Sequence, residues 1–344
     1  MNSEKSFFFD LFHAILVGAA ILLVSFTFLL DPGINKEGGY LAFPDVVYGR
    51  VKKPFVYRVL VPGVIRIIAS ALPESTHKWA SGMFKYNFNH GNWEIEYALE
   101  YDIAVVLVCL SLLSFYVAVS YFCDCLFRGP PKFIPLVSLT ALFGLPPFFK
   151  YWSYLYDFPA LAFFTLGLAL MVQRRWTWFL VLYLFSCLNK ETTFLLSVVF
   201  FIYFRPATGR MNKNLFTRLL STQLVMFALV KGGLYVAFRE NPGSIAEFHL
   251  LDHNLQFITP YSLTTFLGWA FLFLLIARRW SQSHPFLKDA LWILPILIVL
   301  TFFFGFLDEL RDYYEAYPVV LMLLAPAVAE YLGMSITNRE ASPT

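Results

Sequence analysis

Apolar runs recur along this chain at residues 11–30, 102–126, 132–149, 157–173, 215–237, 262–277, 289–306 and 316–334. Each is long enough to cross, or nearly cross, the hydrocarbon core of a bilayer as a helix. No soluble fold can bury so many such segments, because the chain lacks the polar surface that would cover them. Hydrophobic residues make up 58% of the sequence and charged ones 14%, against about 25% charged in a soluble domain. Lipid must therefore replace water over most of the exterior. The expected fold class is an all-α integral membrane protein of about ten transmembrane helices. A single polytopic membrane domain covers residues 1–337, and a disordered tail follows at 338–344.

The same composition excludes other classes. A formal net charge of +3, with no basic run interleaved with aromatics, gives no footprint for nucleic acid. Cys109, Cys123, Cys125 and Cys187 all lie in or at the ends of apolar runs, so no disulfide framework is expected. Cys123-x-Cys125 lacks further metal ligands nearby. The run from Leu11 to Leu30 has no small-x-small cleavage site after it and reads as a crossing rather than a cleaved signal.

Residues 176–204 pose a choice. Apolar on both sides of Asn189-Lys190-Glu191, the stretch is either one helix with charges at mid-bilayer or a hairpin with charges at its tip. The positive-inside rule decides. With the N-terminus cytoplasmic and a hairpin here, Arg128, Lys132, Arg174, Arg175, Arg205, Arg210, Lys213, Arg278, Arg279 and Lys288 all fall on the inner side. A single helix would split Arg174 and Arg175 from Arg205 and Arg210. The hairpin gives ten crossings with both termini cytoplasmic. The long segment 31–101 is then external, and its apolar stretch 59–72, carrying Arg66, is expected to lie as an amphipathic helix in the interface. Arg66 is read as an anchor that snorkels to the headgroups.

In this topology the ionisable groups at membrane depth, which are costly and functional by default, gather outside. They are Asp31, Asp45 with Tyr48, Tyr57 with Arg58, Tyr154 with Asp157, Lys190 with Glu191, and Asp308, Glu309 and Arg311 with Glu315. A carboxylate there suits general-base work on an acceptor hydroxyl, and the cations suit a phosphate leaving group. Each residue also has a plainer reading. Asp45 suits a solvated or loop-capping role, and Asp31 in Asp-Pro-Gly suits a turn. Asp157 two before Pro159 suits a helix N-cap. Lys190 and Glu191 suit a mutual pair at the tip, and Glu309 and Arg311 an exposed pair of little worth. His249 and His253 stand at i, i+4 without a third zinc ligand, and a polar external loop is the expectation there.

Asp45-x-x-Tyr48, Tyr57-Arg58-x-Leu60-x-Pro62, Asp157-Phe-Pro-Ala, Asn189-Lys190-Glu191 and Glu309-Leu-Arg311…Pro318 together resemble the multi-spanning glycosyltransferases of the C-type (GT-C) fold. The resemblance implies a sugar moved from a polyprenyl-phosphate donor to an acceptor on the non-cytoplasmic face, in a plasma (inner) membrane. It implies Asp45, or else Asp31, as catalytic base. It further implies substrate contacts from Tyr48, Tyr57, Arg58, Tyr154, Asp157, Lys190, Glu191, Glu309 and Arg311. A divalent metal is an open cofactor, since no Asp-x-Asp motif appears and Glu94-x-Glu96 is a poor substitute. Two other classes stay open: a transporter or flippase of a lipid-linked or anionic substrate, and a non-catalytic membrane assembly subunit.

Overall fold

The structure, a computed structural model, describes residues 2–34, 42–87, 93–149, 153–255 and 263–339. It is helical almost throughout. Helix α1 (Asn2–Phe28) runs into a π-helical turn, Leu29–Gly33, where Asp31-Pro32-Gly33 stops it. This is the turn that Asp-Pro-Gly predicts; the Asp31 side chain lies outside the described residues. The long segment that follows is not a plain loop. It folds into α2 (Phe43–Val47), the apolar α3 (Leu60–Ala71) and a more polar α4 (Glu74–Asn87). Helix α3 occupies the stretch expected to be amphipathic, burying Val61, Ile65 and Ala69 on one side and leaving Ile67 and Ile68 exposed on the other.

The remaining helices form the bundle. They are α5 (Ala98–Leu126), α6 (Phe133–Phe143), α7 (Asp157–Val172), α8 (Trp176–Asn189), α9 (Phe194–Phe204), α10 (Lys213–Ala237), α11 (Leu263–Arg278), α12 (Pro285–Ala290), α13 (Ile293–Phe304) and α14 (Tyr317–Tyr331). Among the described residues, four stretches are long and apolar enough to cross a membrane: Asp10–Phe28, Ile95–Leu126, Lys213–Ala237 and Pro285–Phe304. Shorter apolar helices of 10–17 residues accompany them. Large apolar side chains such as Leu229, Val236, Phe273 and Val299 stay exposed, as a lipid-facing surface requires.

Residues 176–204 do form a hairpin. The ring of Trp176, which opens α8, packs on Phe200 and Phe204 at the close of α9, with centroids 5.7 and 5.2 Å apart. Deeper in, Tyr183 Oη and Ser197 Oγ lie 2.8 Å apart. Lys190 breaks the helix by adopting an extended backbone, φ −153° and ψ 150°. Gly167 of α7 lets the arms sit close: a Cβ there would come within 2.9 Å of Leu196 Cδ1.

Ring contacts give the sense of the other helices. Phe28 ends α1 beside Phe158, 4.4 Å away at the start of α7. Tyr314, ahead of α14, stacks on Phe148 beyond the end of α6 at 5.0 Å. At the opposite end of the bundle, β1 (Phe127–Arg128) pairs antiparallel with β2 (Thr337–Asn338). Arg339 N–H donates to Leu126 O at 2.8 Å. Asn338 and Arg339, placed by sequence in the tail, are thus tied to the end of α5, while 340–344 lie outside the described residues. The Asn2 end of α1 lies at this same end of the bundle.

Candidate functional site

Helix ends that leave carbonyls or charges unpaired must find partners, and here several find them around one cavity. It measures about 520 Å³ and opens between the start of α3, the start of α7, the tip of the α8–α9 hairpin, the end of α13 and the loop before α14. Seven of the expected site residues line it: Arg58, Tyr154, Asp157, Lys190, Glu191, Glu309 and Arg311. They come from four separate segments, brought together by the alternating run of the helices.

The hairpin tip changes direction within two residues: Lys190 is extended, and Glu191 opens a 3-10 turn, Glu191–Thr193. Lys190 and Glu191 do not pair with each other, as a simple tip would have it. Lys190 Nζ reaches Glu315 at 3.1 Å. Glu191 faces Arg58 Nε at 3.1 Å and Lys231 Nζ at 3.4 Å. Burial would raise the Glu191 carboxyl, but the Arg58 guanidinium and the Lys231 ammonium overcome it and hold the group at about 2. Arg58 also donates to Tyr156 Oη.

On the other wall, two carboxylates share one guanidinium. Arg311 Nη2 lies 2.8 Å from Glu309 Oε1, and its Nη1 lies 3.9 Å from Asp157 Oδ2. The charge of Asp312 is felt by both Glu309 and Arg311. Far from an exposed pair, Glu309 and Arg311 are 2% and 9% exposed. Burial, with Asp312 and Asp157 nearby, pushes the Glu309 carboxyl up to about 7 against the pull of Arg311. Asp157 is not the N-cap; Tyr156 is, and Asp157 is the first helical residue. Its Oδ2 turns back to accept the Tyr154 N–H at 3.1 Å. Asp157 Oδ1, Glu309 Oε1 and Arg311 Nη1 are buried with no hydrogen-bond partner in the protein, a costly state that polar substrate or water can relieve.

An aromatic trio separates the two walls. Tyr154 stacks on Phe55 and Tyr156, with centroids 5.5 and 5.1 Å away. Arg58 lies over Tyr156 at 4.2 Å, and Arg311 over Tyr154 at 4.1 Å. Cation–π contact and stacking fix both guanidinium planes before any ligand arrives.

The cavity's third side is set by one side chain. Asn254, fully buried, donates from Nδ2 to Thr301 O, Phe302 O and Gly305 O, and accepts the Leu307 N–H at 3.0 Å. His249 N–H donates to Phe303 O at 2.9 Å. The orphan carbonyls at the end of α13 are thereby satisfied. Gly305 follows because a Cβ there would collide with the Asp312 carboxylate. His249 and His253 pair with Asp252 and Asp308 at 3.2 and 2.9 Å.

Asp45 and Tyr48 stand apart. Neither lines the cavity. Asp45 is bound to Arg50 at 2.9 Å, with both side chains about half exposed, which matches its solvated reading. Tyr48 donates to Glu100 at 2.6 Å. Tyr57 is buried in a small cluster with Val51 and Val56. Sequence reading placed Glu315 in the converging cluster but missed Lys231, Tyr156, Asp312 and Asn254. Lys231 carried a usable signal, since it is a lone charge near the end of a 25-residue apolar helix. The others carried none, as their partners are remote in sequence.

Among the described residues, no group of three or more His, Cys, Asp or Glu side chains is placed to hold a metal ion. Arg311 already stands between Asp157 and Glu309, so the donor set at the cavity does not fit a divalent cation. Comparison with known proteins gives no match to a family model, to a curated protein or to a solved structure.

Proposed function

We propose that this chain is a membrane glycosyltransferase of the C type. It moves a sugar from a polyprenyl-phosphate donor to an acceptor on the non-cytoplasmic face. The observation that carries the reading is the cavity itself. Two stacked, pre-oriented guanidiniums and Lys190 face carboxylates whose buried oxygens lack partners. Cations suit the phosphate that departs with added charge, and a carboxylate suits the acceptor hydroxyl. The apolar flank of the cavity, Ile245, Leu297, Leu300 and Phe304, suits a lipid tail. The ten-crossing arrangement is part of the same proposal. It puts the cavity outside and both termini in the cytoplasm, which agrees with the Asn2 end of α1 and β2 lying together away from the cavity.

The test is transfer from a panel of radiolabelled polyprenyl-phosphate sugars by protein in lipid nanodiscs, with Arg58→Ala and Arg311→Ala beside wild type. Transfer lost in both variants supports the reading. Wild type that transfers nothing from any donor sinks it. The transporter alternative then leads if labelled lipid crosses the membrane, and the assembly-subunit alternative if it does not.

A further inference from the structure

Within the transferase reading, the base remains to be assigned, and the cavity wall narrows the choice by elimination. Five carboxylates line it: Asp157, Glu191, Glu247, Glu309 and Asp312. Glu191 is clamped by two cations and held too acidic to take a proton at neutral pH. Glu247 is committed to Lys52 at 2.5 Å. Asp312 accepts the Phe306 N–H at 3.2 Å and shapes the turn around Gly305. Asp157 opens the 16-residue helix α7, and its Oδ2 already accepts the Tyr154 N–H at 3.1 Å, which fixes the carboxylate against its own helix start. Glu309 shares burial, an unpartnered oxygen and the neighbouring Arg311 with Asp157, but it lies in the loop before α14 and its carboxylate is not tied to a backbone N–H.

We propose that Glu309 is the general base, and that Asp157 is a positioning residue that shares Arg311 with it. In the transfer step, the Glu309 carboxylate takes the proton of the acceptor hydroxyl. The acceptor oxygen bonds to the anomeric carbon. The bond from that carbon to the phosphate oxygen breaks, and its electron pair stays on the phosphate. The carboxylate becomes a carboxylic acid while the lipid phosphate gains one negative charge, so total charge is unchanged. Arg58 and Lys190 face the same cavity and meet the added charge. Burial, helped by the charges of Asp312 and Asp157, pushes the Glu309 carboxyl up to about 7 against the pull of Arg311. That places its basicity where a base that must load and unload near neutrality works best.

The experiment compares wild type, Glu309→Gln, Glu309→Asp, Asp157→Asn and Asp45→Asn in nanodiscs, with the best donor from the panel, kcat measured for each and kcat/KM followed across pH, since the latter reports the groups of the free protein. Wild type is expected to lose rate on the acid side near pH 7. Glu309→Gln is expected to lose about 100-fold or more in kcat while still binding polyprenyl phosphate. Glu309→Asp should recover part of the rate with a moved acid limb. Asp157→Asn removes a negative neighbour, so its acid limb should move to lower pH. The assignment is overturned if Glu309→Gln stays within tenfold of wild type, or if Asp45→Asn abolishes transfer and Glu309→Gln does not. Should Glu309→Gln fail to fold, the wild-type profile decides, since no acid limb near pH 7 also overturns it. A wild type inactive with every donor fails the transferase reading, and this assignment falls with it. An active wild type puts only Glu309 at risk.

Discussion

The two ends of the helical bundle carry charge in different ways. At the β-ribbon end, Arg339 pairs with Asp124, Arg278 with Glu330 and Arg210 with Asp289, with side chains 29–49% exposed. Glu330 also meets Arg279 at 3.7 Å, but every carboxylate here stays in reach of solvent, a solution worth little energy and needing no special geometry. At the cavity end, Asp157, Glu309, Glu315, Lys190 and Arg311 are all at most 9% exposed, and cations and anions are shared rather than matched. Burying charge without full pairing costs stability. Its retention at one end alone marks where the molecule holds strain for a task, while the other end is merely made compatible with water and headgroups.

That contrast can be broken most sharply at Arg311. Arg311→Ala leaves buried carboxylates without their cation and should cost about 3–5 kcal/mol, whereas Arg339→Ala should cost about 1 kcal/mol or less. Thermal unfolding in one detergent compares the two directly; equal losses would erase the distinction. Asn254→Ala comes next. It strands the carbonyls at the end of α13 and should cost about 1–3 kcal/mol, read by the same melt and by faster proteolysis in the loop after α10.

A pH series separates the two walls of the cavity. The folded Glu309 carboxyl titrates at about 7 rather than at its ordinary 4.5. Its contribution to stability is therefore full below about 4.5 and is lost as pH rises through 7. Glu191, held at about 2, contributes above about 4.5 and loses that as pH falls toward 2. Melting temperature against pH should therefore flatten between 4.5 and 7 in Glu309→Gln, and below 4.5 in Glu191→Gln. The smallest effect belongs to Asp45→Asn, which touches only an exposed pair and should change stability by about 0.5 kcal/mol or less.

Much of this was legible in advance, and for definite reasons. The break at Asn189-Lys190-Glu191 could be read because hydrocarbon tolerates no unpaired charge and inner loops carry arginine. The stop at Asp31-Pro32-Gly33 and the apolar stretch of α3 follow from local rules of the same kind. Seven of the residues picked for charge at membrane depth do meet at the cavity. Asp45 and Tyr48, picked on the same ground, do not: Asp45 pairs locally with Arg50, and Tyr48 donates to Glu100.

Sequence alone determined that the chain is helical and apolar, where its long helices lie, and which charged residues are out of place in them, because those properties depend on composition over one or two helical turns. Only the tertiary structure decided how the charges combine. That Lys190 turns to Glu315 while Glu191 turns to Arg58 and Lys231, that Asp157 and Glu309 divide one guanidinium, and that Asn254 closes the end of α13 all depend on contacts between segments tens to hundreds of residues apart. Nothing in the local chemistry of either partner records such a contact; it exists only once packing has fixed which helix ends face each other.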